Sequence, residues 1–145
     1  MITNSLYLKS PAKINLYLKI LKKRLDGFHD IDSAFQLIDL YDEIEIINID
    51  SNEIKIICDP SIIKKEDNIV FKAVKALKED YGVDKGVQIS LKKNIPIGAG
   101  LGGGSSNAAT VLLGLSKMWN LNISHQEMLK RGKNLGADVP FFING

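Results

Sequence analysis

The sequence is short of the residues that would fix it covalently, hold a metal or anchor it in a bilayer. Cys58 is its one cysteine among 145 residues. That excludes an internal disulfide and any zinc motif built on paired thiols. Cys58 sits in an alternating apolar stretch, which favours a buried structural thiol over a nucleophile. No apolar run approaches the length of a membrane span. The N-terminal stretch MITNSLYLKSPAK lacks the basic segment and apolar core of a secretory signal. A formal net charge of +2 is too small to argue for a nucleic-acid partner. Short basic runs such as Lys22-Lys23-Arg24, Lys64-Lys65 and Lys92-Lys93 read as solvated faces and loop ends. The expectation is a reduced, cytoplasmic protein with neither membrane nor nucleic acid as partner. Internal repeats, low-complexity tracts and long linkers are absent too. At 45% apolar and 25% charged residues, the composition is that of a globular domain.

What is present is a change of period along the chain. Residues 5–20 alternate, with Leu6 and Leu8 before Ser10-Pro11 and with Ile14, Leu16, Leu18 and Ile20 on one side after it. This predicts two strands meeting at a proline turn or bulge. RLDGFHD reads as a loop around Asp26-Gly27. DEIEIINID and NEIKIIC read as strands, and Asp50-Ser51-Asn52 between them predicts a hairpin. From residue 67 to 81 the period becomes helical, with Val70, Ala73, Val74, Leu77 and Tyr81 on one face, Asp67 as N-cap and Gly82 as stop. KGVQISLKKN returns to alternation. Ala108, Val111, Leu112, Leu115 and Trp119 mark a second helix. A third opens at Ser124 with a capping box to Glu127 and ends near Gly136. The chain closes on VPFFING, an apolar stretch read as an uncovered edge prone to association and as a sign that the natural protein is longer. Strands, helix, strand, glycine loop and helices in this order predict an α+β fold.

Five of the 12 glycines fall within IPIGAGLGGGSSNAA, directly before the second helix. A helix N-terminus offers unpaired N–H groups and a partial positive charge. Glycines let the backbone approach an anion and take positive φ. Together they predict a phosphate cradle over Pro96, Ile97, Gly98, Ala99, Gly100, Leu101, Gly102, Gly103 and Gly104. Ser105 and Ser106 can cap the helix, bond a phosphate oxygen or help hold a magnesium ion. GAGLGG matches G-x-G-x-x-G literally, but no ribose-binding acid follows at the required distance. No lysine follows the glycines either, so a standard P-loop is excluded and its lysine must come from elsewhere.

IPIGAGLGGGSSNAAT resembles the second motif of the GHMP kinase superfamily. SPAKINLYLKI resembles its first, and LGADVPFF the segment carrying its catalytic aspartate. With GFHD, these motifs span Ser10 to Phe142 in the superfamily's order. The combination is most similar to the branch that phosphorylates a cytidine diphosphate-linked methylerythritol. The resemblance implies a two-layer sheet-and-helix domain like ribosomal protein S5 domain 2, filling residues 1–145, with the C-terminal domain and its third motif absent. It implies transfer of the γ-phosphoryl of ATP, with Mg²⁺, to the substrate's 2-hydroxyl, for isoprenoid precursor synthesis. An isolated half is expected to bind nucleotide weakly and turn over little. Open alternatives are a mevalonate- or homoserine-type kinase, a nucleotide-binding module without activity, and a dinucleotide-binding domain.

Read alone, the candidate residues keep plainer roles. Lys13 is an outward-facing strand lysine, Asp138 a helix or turn cap, and Asn68 an N-terminal helix residue. Phe28 is a core plug or a stacking platform, and His29 a surface histidine. The resemblance assigns Asp138 as general base and Lys13 as its neighbouring cation, and pairs the two. It assigns Phe28, His29 and Asn15 to the substrate, with Phe28 where tyrosine is common. It sets Asn68, Ile69 and Lys93 on the adenine side.

Overall fold

The computed structural model describes residues 5–61 and 64–145; the first four residues of the N-terminal stretch considered above lie outside them. Four strands, β1 (Ser5–Lys23), β2 (His29–Ile49), β3 (Ile54–Asp59) and β4 (Gly86–Lys92), form one sheet in the order β1-β2-β4-β3. Four helices, α1 (Ile69–Tyr81), α2 (Gly103–Met118), α3 (His125–Leu135) and α4 (Val139–Asn144), complete the fold. The α+β expectation is met. The core lies between sheet and helices. Ile44, Ile46, Val87, Ile89 and Leu91 meet Val70, Val74, Leu77, Val111, Leu112 and Leu115 there. Among the described residues no helix is long and apolar enough to cross a membrane.

The local signals place most helix ends. Gly82 closes α1 in the left-handed conformation at φ 61°, and Ser124 and Glu127 form the expected reciprocal box at α3. The start of α1 differs by one residue. Asp67 falls in a single 3₁₀ turn, Lys65–Asp67, and Asn68 caps the helix by accepting from Val70 N at 2.9 Å. Either residue type can cap; the 3₁₀ turn before the helix gives the position to Asn68.

Long-range pairing departs further. β1 is one strand of 19 residues, not two. The proline region is indeed irregular: Pro11 pairs with Tyr41 but Lys13 with Leu37. GFHD lies at a tight turn, and β2 starts at His29, thirteen residues before Asp42, where the run predicted as strand begins. The result is a long β1–β2 ribbon. The single side expected for Ile14, Leu16, Leu18 and Ile20 is not kept: the register shift between Asn15 and Tyr17 puts Ile14, opposite Gln36, and Leu18, opposite Ser33, on different faces of the ribbon, and all four residues are exposed.

The predicted hairpin at Asp50-Ser51-Asn52 does not form. β4 occupies the place between β2 and β3, antiparallel to the first and parallel to the second. Val87, Ile89 and Leu91 are buried, whereas β3 has no buried residue, so the inner place, covered on both edges, falls to β4. The 50–53 loop then crosses the start of β4, where Glu53 O accepts from Val87 N at 2.9 Å. A Cβ on Gly86 would overlap the carbonyl oxygen of Ser51 and stand 2.8 Å from that of Glu53. Gly86→Ala must therefore displace backbone. We expect a loss toward the upper end of the about 1–3 kcal/mol typical of overpacking, read as a lower urea midpoint; an unchanged midpoint would show that the loop yields freely.

VPFFING is not an open edge. It forms α4, with Val139, Phe142 and Ile143 buried in the core. Phe141 packs edge-on to Phe35 with ring centroids 5.1 Å apart.

Candidate active site

The glycine segment leaves β4 and turns into α2 through three residues of positive φ: Gly98 (72°), Gly100 (75°) and Gly102 (71°). That conformation costs an ordinary side chain energy and costs glycine none. Gly102 is needed twice over, since a Cβ there would stand 2.8 Å from Phe142 Cζ and 3.1 Å from Lys13 Cγ. Gly102 is also the N-cap of α2 and supplies no side-chain bond. The amides of Gly103, Gly104 and Ser105 consequently have no partner within the helix. They open onto a cavity of about 450 Å³ lined by Pro96 through Ser105.

The two serines part ways. Ser105 lines the cavity. Ser106 is wholly buried, its amide bonded to Gly102 O at 2.9 Å and its Oγ accepting from Ser10 at 2.8 Å. It faces the core, one step round the helix from Ser105, and does not line the cavity. Neither serine caps the helix.

Lys13, Asn68, Ile69, Lys93 and Asp138 also line the cavity. Lys13 arrives from β1 because the irregularity after Pro11 releases its amide from the β2 ladder. Lys13 N donates instead to Leu101 O of the glycine loop at 2.9 Å. Its ammonium donates to Asn15 Oδ1 at 2.5 Å and lies 4.4 Å from the centroid of the Phe35 ring. Such a cation–π contact holds a lysine in place while leaving its charge intact. The expected ion pair between Lys13 and Asp138 is not formed: Asn15 and Phe35 hold the ammonium. Asp138 stands at the N-cap position of α4 without making a side-chain cap bond, half-buried. Its carboxylate is therefore available.

Lys93 is spoken for. Its Nζ donates to Asp42 Oδ2 at 2.5 Å and to Asn107 Oδ1 at 2.8 Å, with its side chain 9% exposed and that of Asp42 0%. Asn68 likewise spends its Oδ1 on the cap of α1. Cys58 is half-buried on the cavity wall, and desolvation pushes its thiol up, against a thiolate role. Among the described residues no cluster of three or more His, Cys, Asp or Glu could hold a metal ion.

Phe28 and His29 are not brought to this cavity. They sit where the β1–β2 ribbon turns, with Phe28 72% exposed. Asn15, assigned to substrate, touches Lys13. Sequence reasoning missed Phe35, Asp42 and Asn107. Asp42 left a signal: it shares strand parity with Ile44 and Ile46, so a carboxylate was bound to point into the core. Asn107 shares a helix face with Val111 in the same way.

The family model for the GHMP kinases N terminal domain matches residues 68–145. The chain belongs to the GHMP kinase family. It is 52% identical over 139 residues to the 4-diphosphocytidyl-2-C-methyl-D-erythritol kinase of Clostridioides difficile (strain 630), covering 95% of this chain and 47% of that protein. A crystal structure of 4-(cytidine 5'-diphospho)-2C-methyl-D-erythritol kinase superposes with a TM-score of 0.85 at 35% identity, over 97% of this chain and 49% of the other. Homoserine kinase from Cytophaga hutchinsonii, at 19% identity and a TM-score of 0.66 over 93% of this chain and 42% of that one, shares the fold. The chain thus spans about half the length of the curated relatives it matches. In this GHMP kinase domain the glycine loop, Lys13 and Asp138 converge on one cavity.

Proposed function

We propose that this GHMP kinase domain transfers the γ-phosphoryl of ATP to the 2-hydroxyl of 4-diphosphocytidyl-2-C-methyl-D-erythritol, a step in isoprenoid precursor synthesis. One observation carries the reading: Lys13 and Asp138, from opposite ends of the chain, line the same cavity as the free amides at the start of α2. The amides and the positive end of α2 receive the triphosphate. Asp138 accepts the proton of the acceptor hydroxyl as its oxygen bonds to phosphorus and the bond to the ADP oxygen breaks. The Lys13 ammonium, preset by Asn15 and Phe35, offsets the negative charge that develops. Asn68 and Ile69 flank the adenine side.

The donors present suit magnesium only as a companion of the nucleotide. Ser105 and Asp138 are the oxygen side chains at hand, and Mg²⁺ is commonly held by one or two carboxylates together with phosphates and water. Bound so, it would neutralise phosphate charge.

The choice of a cytidine substrate draws on the names of the relatives above 30% identity, and on Phe28, an aromatic left unpacked at the ribbon turn beside His29. We further propose that the ribbon's exposed apolar side, including Leu16, Leu18 and Ile20, docks a second domain of the kind the remaining length of those relatives supplies. The test is ADP release with diphosphocytidyl-methylerythritol, mevalonate and homoserine offered in parallel. Turnover with the first alone is expected. Comparable turnover with either other acceptor would sink the substrate assignment. ATP binding without any turnover would instead favour a nucleotide-binding module.

A further inference from the structure

Beneath the glycine loop lies a buried charge that the reaction does not use. Asp42 projects from β2 into the core and is 0% exposed. Both its oxygens are saturated. Oδ1 accepts from the backbone amides of Asn94 and Ile95 at 2.7 and 2.8 Å. Oδ2 accepts from Lys93 Nζ at 2.5 Å and from Asn107 Nδ2 at 2.9 Å. The first pair of donors is the chain leaving β4 for the glycine loop. In the second pair Asn107 belongs to the first turns of α2, where that loop ends, and Lys93, directly after β4, also donates to Asn107 Oδ1. One carboxylate therefore grips both stems of a loop whose three positive-φ glycines give it little stiffness of its own. A buried carboxylate is retained only where its partners compensate its desolvation. An apolar side chain would fill this place without that requirement, but it could not hold two backbone amides in register.

We propose that Asp42 is a positioning residue that pre-forms the anion cradle: its Oδ1 fixes the stem leaving β4, the larger part of the effect, and its Oδ2 ties that stem to the start of α2. Its effect on nucleotide affinity rests on the ATP reading above; its effect on loop order does not. With the loop already set, binding does not have to order it, and affinity gains accordingly.

Two charge-free pairs isolate the acceptor. Asp42→Asn with Lys93→Met keeps an oxygen for the Asn94 and Ile95 amides and leaves no buried ion. Asp42→Leu with Lys93→Met removes that oxygen as well. Amide hydrogen exchange is read by segment in the protein as its cell makes it. The second pair is expected to exchange at least about tenfold faster than the first across residues 94–104, with α1 equal in both, since a lost backbone clamp acts locally. ATP affinity measured by calorimetry should fall by a similar factor between the two. Equal exchange at 94–104 overturns the proposal. So does faster exchange spreading equally through α1, because Asp42 would then support the whole fold rather than the loop. Should the leucine pair fail to fold while the asparagine pair folds, Asp42→Ser with Lys93→Met replaces it: too short to reach both amides, it should loosen 94–104 alone, and protection equal to the asparagine pair overturns the clamp. If the unaltered protein binds no ATP, the nucleotide reading falls while the exchange comparison still decides the clamp.

Discussion

Asp138→Asn is expected to slow phosphoryl transfer by about 10²–10⁴-fold, the range a positioned general base contributes. The substitution keeps the shape of the side chain and removes its ability to take a proton. Asp138 stands at the N-cap position of α4 but makes no cap bond with its side chain. The fold does not depend on the carboxylate, so the melting temperature should stay within a degree or two of the parent. On the proposed reading the α2 amides, not Asp138, receive the triphosphate, so ATP should still raise that melting temperature. Lost turnover with retained ATP protection is thus the signature. A fall of less than about tenfold in single-turnover rate would remove Asp138 from the role of base. It would leave positioning and charge stabilisation, which carry most phosphoryl transfer, to account for the rate.

The second large effect concerns stability. Asp42→Asn alone should cost about 3–5 kcal/mol, the usual penalty for breaking one side of a buried ion pair. The amide would turn its NH₂ toward Lys93 Nζ and Asn107 Nδ2, both donors, or else toward the Asn94 and Ile95 amides. Either choice sets donor against donor and leaves the Lys93 ammonium uncompensated at 9% exposure. Adding Lys93→Met should recover most of the loss, because a buried pair can be replaced whole at little cost. Urea unfolding with an unchanged slope reads both values. A single-variant loss below about 1 kcal/mol would mean that water reaches the pair and that its burial matters less than its geometry suggests.

Much of this molecule follows from residues near one another in the chain. Val70, Val74 and Leu77 recur at helical spacing and Gly82 stops the run. Ser124 and Glu127 announce α3, and five glycines before an apolar helix announce the loop that opens α2. Each is a matter of local backbone preference and of unpaired groups at a helix end, and each is complete within a few residues. The motif resemblance adds the family, and with it Lys13 and Asp138. Only the tertiary structure decided which strand lies beside which. Asp50-Ser51-Asn52 has the chemistry of a hairpin turn, yet β4 takes the ladder of both β2 and β3, because pairing is settled by competition for the buried centre and not by the turn. Lys13 reads as a strand lysine in either direction until the break in register after Pro11 turns it onto the loop. Nothing local to Asp138 or Lys13 says that Asn15 and Phe35 claim the ammonium. Asp42 shows its inward parity in the sequence, but its four donors come from residues 51 to 65 positions away. Contacts so distant are set by how the sheet and α2 pack, and packing is a property of the whole chain.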